Sequence, residues 1–134
     1  MATLRAAIHD KLPEQALSSV EALDATLDAA SSEARAKQML NLVELFAPNQ
    51  NSLSLAVGGE ETVLCFNYGH GNPPYFASLG EAQVDYPVLA AFIGLAHHSE
   101  FRRRHVVPIS VGRHAAREFF VTGMRPGSLQ WGEV

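Results

Sequence analysis

The chain has 134 residues, of which 47% are hydrophobic, and a formal net charge of −4 at pH 7. This length suits one domain with a sizeable core, so we expect a single domain over residues 1–134, with residues 1–17 an extension that the pattern does not assign. No apolar run approaches the roughly 20 residues that span a bilayer, so we expect no membrane contact. Cys65 has no partner for an internal disulfide, and the N-terminus lacks a basic-then-apolar leader. We therefore expect a cytoplasmic protein.

The first elements lie in the N-terminal third. Residues 3–9 suit a short strand or a helical turn, and Pro13 prevents a helix from continuing beyond them. Ser18 followed by Glu21 fits a capping box, and apolar residues then recur at helical spacing. These features predict a helix over residues 19–37.

The middle of the chain has the alternation of strands. Residues 40–47 suit a strand, with a helix as the alternative, and the polar residues 48–51 predict a turn. Residues 52–58 alternate cleanly between apolar and small side chains, which predicts a hairpin with the preceding segment. Residues 62–68 and 75–79 are the next two predicted strands.

The C-terminal third starts with the apolar run 88–96, which suits a strand buried on both faces or a buried helix. Residues 97–108 suggest a polar connection, and an apolar stripe then predicts a helix over 109–122, ended by Gly123. A last strand is predicted around Trp131. The expected fold class is α+β, with a mostly antiparallel sheet of about five to six strands and two main helices on one face.

No catalytic or metal-binding pattern is present in the sequence. The histidines lack the spacing of a zinc site, and we expect no metal and no cofactor. Cys65 lies mid-strand between apolar neighbours, so we expect a raised thiol pKa and no nucleophilic role. Ser78 has no nucleophile-elbow sequence around it. A binding protein is therefore favoured over an enzyme.

The charges point to a protein partner. Residues 51–100 contain five acidic residues and neither Lys nor Arg, which disfavours nucleic acid and favours a basic protein; a solvated acidic face is the alternative. The arginines at 102–104 have only Phe101 as an aromatic neighbour, so we expect a solvated loop or ion pairs with the acidic segment in place of nucleic-acid binding.

Several stretches, taken in order and spacing, resemble immunity protein family one of bacterial polymorphic toxin systems. The stretches are SLSLAVGGEETVLCF, NPPYFASLGE and HHSEFRRRHVVPISVGRHAAREFFVTGMRPGSLQWGEV. The resemblance covers residues 18–134, and departs from the family at His97-His98, where a tryptophan is expected at the second position.

The resemblance implies a non-enzymatic antidote that binds a toxin domain inside the producing cell and blocks it sterically. In this family the toxins are often nucleic-acid deaminases of the cytidine type, which implies a basic partner. Combining this with the acidic and aromatic loops, we expect toxin contacts from ten residues. They are Glu60, Glu61, Tyr68, His70, Asn72, Tyr75, Glu81, Asp85, Tyr86 and Glu100.

Two other classes of function stay open from the sequence. One is a small enzyme that uses the histidine-rich segment 97–105 with Glu100. The other is a homo-oligomeric or scaffold module whose apolar content covers a self-interface. The oligomeric state is not determined by any pattern in the sequence.

Overall fold

A computed structural model describes residues 4–8, 14–80, 87–93 and 97–134, with side chains throughout these ranges except at residues 8, 87–93 and 97–101. The strands are β1 (Leu4–Ile8), β2 (Gln15–Leu17), β3 (Asn41–Phe46), β4 (Ser52–Val57), β5 (Glu61–Thr62), β6 (Leu64–Asn67), β7 (Tyr75–Leu79), β8 (Pro87–Ile93), β9 (His97–Arg102), β10 (Val107–Pro108) and β11 (Gln130–Glu133). The helices are α1 (Val20–Ala36) and α2 (Ile109–Thr122), and a 3-10 turn covers Arg103–His105.

The main sheet has nine strands, seven of which follow the order β11-β7-β6-β4-β3-β1-β2. Strand β8 joins β3 in parallel and pairs with β9 in antiparallel fashion, and β10 with β5 forms a separate two-stranded ladder. The predicted α+β class and the mostly antiparallel pairing are confirmed. The predicted five to six strands are too few, because β1, β2 and β9 gain their extended conformation from pairing with neighbours and have little alternation of their own.

Both helices cover the same face of the sheet, as predicted. The register pairs Leu53 with Phe66 and Leu55 with Leu64, and all four side chains are fully buried. They belong to one core cluster with side chains of both helices, among them Phe119 of α2. This apolar layer is the main source of stability in the fold.

Helix α1 begins one residue later than its predicted cap. Ser19 has an extended backbone and its hydroxyl accepts a hydrogen bond from the Ala22 amide at 3.0 Å, so Ser19 and not Ser18 is the N-cap. Glu21 then falls one position short of a capping box and supplies only a negative charge in the first turn.

Helix α2 agrees with its prediction at both ends. It spans Ile109–Thr122 and ends at Gly123, which has the left-handed φ of 66°. The Gly123 amide donates to the carbonyl of Phe119 at 2.8 Å, which closes the last turn. Neither helix of the described residues is long and apolar enough to cross a membrane.

Two open alternatives are settled and one prediction is wrong. Residues 41–46 form strand β3, not a helix, and residues 87–93 form strand β8. The predicted polar connection at 97–108 is instead strand β9, the 3-10 turn and strand β10. Backbone pairing of β9 with β8 overrides the polar character of its sequence.

Candidate partner-binding site

The sheet has two ends, and the predicted contact residues separate between them. The loop end holds the turn 47–51, the loop 68–74, the segment 123–125 and Val134. The base end holds the turn 58–60, Gly80, the 3-10 turn and the start of α2. Strand β4 runs the whole way between the ends and its six residues separate them by about 17 Å.

Four of the ten predicted residues come together at the loop end, and two lie at the base end. Tyr68, His70, Asn72 and Tyr75 are in or beside the loop 68–74, whereas Glu60 and Glu61 are in or beside the turn 58–60. Glu81, Asp85 and Tyr86 lie outside the described residues, and Glu100 is on β9, where only the backbone is described. The position of a residue does not by itself test its predicted contact role.

The loop 68–74 is held by its own polar groups and by the core. The Tyr68 ring stacks on the His70 ring with 5.5 Å between centroids, and its edge meets the Phe66 ring at 5.1 Å. His70 Nδ1 accepts a hydrogen bond from the Asn72 amide at 2.9 Å. The Tyr75 hydroxyl donates to the Gly71 carbonyl at 3.0 Å. These bonds fix the aromatic side chains in position before any partner arrives.

Asn51 joins three segments at the loop end. Its side chain, in a residue only 6% exposed, accepts a hydrogen bond from the Gly69 amide at 2.8 Å and donates to the Gly123 carbonyl at 2.9 Å. The neighbouring Asn49 side chain also donates to the Gly123 carbonyl, at 3.0 Å. The loop 68–74, the turn 47–51 and the end of α2 are therefore one connected unit.

The loop end also exposes apolar side chains that sequence reasoning missed. The exposed large hydrophobic residues of the described chain are Tyr75 at 37%, Val121 at 71%, Met124 at 49% and Val134 at 63%, and all four lie here. The Val134 amide donates to the Tyr75 carbonyl at 2.9 Å, and Met124 Sδ lies 3.7 Å from Asn51 Nδ2. The sequence contained one signal of this exposed surface. Val121 lies outside the apolar stripe of α2, and an apolar residue at such a position faces solvent. Clustered exposed apolar groups of this kind mark interaction surfaces.

At the base end the Glu61 carboxylate and the Glu60 backbone are engaged within the chain. A carboxylate oxygen of Glu61 lies 2.8 Å from the Arg103 guanidinium, so the two charges largely cancel. The Glu60 carbonyl accepts the Ile109 amide at 2.8 Å, which anchors the start of α2. An ion pair between the basic run and the acidic segment was one of the alternatives in the sequence, and it is present.

A cleft of about 580 Å³ lies beside this ion pair. Its walls are mostly apolar, with Leu79, Val111 and Leu129 among the lining residues and the Glu61–Arg103 pair as its charged groups. Among the described residues that line the cleft, these two paired side chains are the only ionisable ones.

The described serine, histidine and cysteine groups near the core make structural contacts. Ser78 Oγ donates to the His105 carbonyl at 2.7 Å and accepts the Leu64 amide at 3.0 Å, while His105 Nδ1 bonds the Ser78 carbonyl at 2.9 Å. The serine hydroxyl and the imidazole are thus bound to backbone, not to each other. Burial raises the pKa of the Cys65 thiol, as predicted. Within the described part of the chain, no three potential metal ligands are grouped.

A family model described as Immunity protein Imm1 matches residues 14–133, from just before β2 to the end of β11. A search of the curated proteins gives no match to the chain. The matched region includes both ends of the sheet.

Proposed function

The chain belongs to the Imm1 family of immunity proteins, and from this membership we propose that it binds a cognate bacterial toxin and protects the producing cell by blocking that toxin. The family match over residues 14–133 is the observation that carries the proposal. It also makes a binding role without catalysis the expected one. The Ser78 hydroxyl and the His105 ring each bond a backbone carbonyl, which gives both a structural role.

The loop end is the proposed docking surface. Its aromatic residues Tyr68 and Tyr75 are of the type that dominates binding energy at interfaces, and they are already fixed by the bonds described above. The exposed side chains of Val121, Met124 and Val134 extend the same surface with apolar area. His70 and Asn72 supply polar contacts at its centre.

Glu60 and Glu61 are left out of this docking surface. They lie about 17 Å away along β4, and the Glu61 carboxylate is paired with Arg103. The four remaining residues stay predicted contacts, to be tested by substitution. They are Glu81, Asp85, Tyr86 and Glu100.

The proposed toxin is a nucleic-acid deaminase of the cytidine type. The support is the family resemblance together with charge, since an enzyme that binds nucleic acid is expected to be basic around its site. The chain has a net charge of −4 and a 50-residue stretch, 51–100, without Lys or Arg. Inhibition is by steric closure of the toxin's active-site mouth, and it takes place in the cytoplasm, where newly made toxin first appears.

Co-expression with the toxin domain encoded by the neighbouring gene tests the proposal. Cells that make both proteins should survive, and cells that make the toxin domain alone should die. Equal death in the two cultures would refute the protective function. The toxin chemistry is tested separately, by measuring deamination of single-stranded DNA and RNA with the purified toxin domain.

Two substitutions test the docking surface by calorimetric titration with an inactive toxin domain. Tyr75→Ala removes an anchor and should weaken binding by about 2 kcal/mol, or roughly 30-fold. Val121→Asp adds a charge to an exposed position and should weaken binding to a similar extent with little effect on folding. Glu60→Gln is the matched control at the base end, and should leave the affinity within about twofold. Equal affinities for all three variants would rule out the loop end as the docking surface.

A further inference from the structure

Strand β11 is the last strand on one edge of the main sheet. It pairs with β7 through the register Trp131↔Ser78 and Glu133↔Phe76. On its other side no described strand is paired with it. An edge of this kind is a template for an incoming strand.

The register fixes which backbone groups of β11 face outward. The Val134 amide donates to the Tyr75 carbonyl at 2.9 Å, so these two residues occupy a hydrogen-bonded position of the antiparallel ladder. In an antiparallel ladder the bonded and non-bonded pairs alternate. Gly132 therefore bonds toward β7, whereas the N–H and C=O groups of Trp131 and Glu133 point away from it.

We propose that an extended segment of the toxin pairs with this edge of β11; the proposal rests on the proposed function and names a second part of the same contact. A partner segment that bonds the outward N–H and C=O groups of Trp131 and Glu133 must be extended, because an extended chain presents donors and acceptors with the same alternation. Strand β11 contains no proline, no lysine and no bulge, which are the usual devices that block edge pairing.

The position and charge of the edge favour the toxin as the source of the segment. The C-terminal end of β11 runs into the proposed docking surface, through the bond between Val134 and Tyr75. The exposed carboxylate of Glu133 is the one charge on β11 and favours a Lys or Arg directly opposite it. A basic toxin supplies that residue. Beside the edge, a cleft of about 480 Å³ lined by Arg125, Trp131 and neighbours leaves room for a side chain of the added strand.

A proline substitution tests the backbone contact. Glu133→Pro removes an outward N–H and leaves the ladder to β7 in place, so binding of the inactive toxin domain should weaken at least about tenfold. Glu133→Ala keeps the N–H and loses only the carboxylate, so its loss of toxin affinity measures the contribution of the carboxylate. The additional loss of affinity in Glu133→Pro measures the contribution of the backbone N–H. Thermal unfolding of both variants checks that they are folded. Equal affinities of the two variants would overturn the proposal.

Amide hydrogen exchange gives a test on the unmodified chain, and it also covers the case in which the proline variant does not fold. In the complex, the amides of Trp131 and Glu133 should become protected, while that of Gly132 is already protected in the free protein. Unchanged exchange at Trp131 and Glu133 in a formed complex overturns strand pairing and leaves the proposed function standing. A failure of the wild-type chain to bind the toxin at all rejects the proposed function itself.

Discussion

The loop end and the base end of the sheet use their polar groups in opposite ways. At the loop end, the side chain of Asn51 bonds the backbone of two other segments, and the aromatic and apolar side chains around it stay exposed. At the base end, charged side chains bond each other, as Glu61 does with Arg103. One end therefore keeps exposed side chains on a hydrogen-bonded framework, while at the other the Glu61 charge is neutralised internally.

This contrast shows that the sequence does not reveal which charges are already paired within the chain. The base-free segment 51–100 predicts an acidic contact face, and the structure adds that one of its carboxylates, Glu61, is paired with an arginine 42 positions away in the sequence. The exposed apolar residues at the loop end come from distant segments and are not a run in the sequence. Substitutions at the two ends should therefore have separable effects.

The largest expected effect is on stability and belongs to the base end. In Gly80→Ala the added Cβ would overlap the carbonyl oxygen of Val106, so the backbone must move and the free energy of unfolding should fall by at least about 3 kcal/mol. Gly127→Ala is the control, because its Cβ meets only the end of the Glu118 side chain at 3.7 Å. Urea denaturation of both variants measures the difference. Similar midpoints for the two would contradict the close contact at Gly80.

The next effect belongs to the loop end and should change stability and binding together. Asn51→Ala leaves the Gly69 amide without its partner, and the Gly123 carbonyl keeps only its bond from Asn49, so the free energy of unfolding should fall by about 2 kcal/mol. Asn51→Asp keeps the acceptor for Gly69 but sets a buried carboxylate oxygen against the Gly123 carbonyl, so it should be destabilised as well. Toxin affinity of the folded Asn51→Ala variant should also fall, because the aromatic loop loses its support. An unchanged toxin affinity would contradict the inference that the Asn51 hydrogen bonds support the docking surface.

A smaller effect is expected from the ion pair at the base end. Glu61→Gln removes one charge of a partly exposed pair with Arg103, so the stability loss should stay below about 1 kcal/mol. A double-mutant cycle with Arg103→Gln isolates the coupling between the two, and added salt should reduce it. Toxin affinity should not change. A large loss of toxin affinity would show that Glu61 belongs to the contact surface and that the two ends do not differ in this respect.

The smallest effect concerns the segment that leads from the loop end to β11. The Gly127 amide donates to the Glu118 carboxylate at 2.6 Å, and this hydrogen bond is the main cause that holds the Glu118 pKa below its ordinary value of 4.5. A lowered pKa in the folded state means that the contribution to stability is present above pH 4.5 and is lost as the pH falls through the folded-state pKa. In Glu118→Gln, the free energy of unfolding should fall slightly less between pH 6 and pH 3 than it does in the wild-type chain. The same fall in both chains would show that this hydrogen bond adds nothing to stability.

Local patterns were sufficient for some elements. Helix α2 was predicted with both of its ends, because an apolar stripe and a glycine suited to positive φ are each encoded within a few residues. Strand β4 likewise follows its alternation. The cap of α1 was missed by one residue, since Ser18 and Ser19 are equally suited by type and only the backbone angles distinguish them.

Long-range pairing explains what was missed. Strand β9 has a polar sequence and is extended because β8 lies beside it. Asn51 looked like an ordinary turn residue, and its role depends on Gly69 and Gly123, which are 18 and 72 positions away. The grouping of Tyr68, His70, Asn72 and Tyr75 was within reach of the sequence because one short loop contains all four.

The sequence by itself determined the family, the α+β class and the two helices, because these depend on motifs and periodicities carried by neighbouring residues. The tertiary structure alone decided which charges are paired, which apolar side chains share the loop end, and that no described strand covers the outer edge of β11. Those properties depend on contacts between segments far apart in the chain, and composition or spacing does not encode where such segments meet.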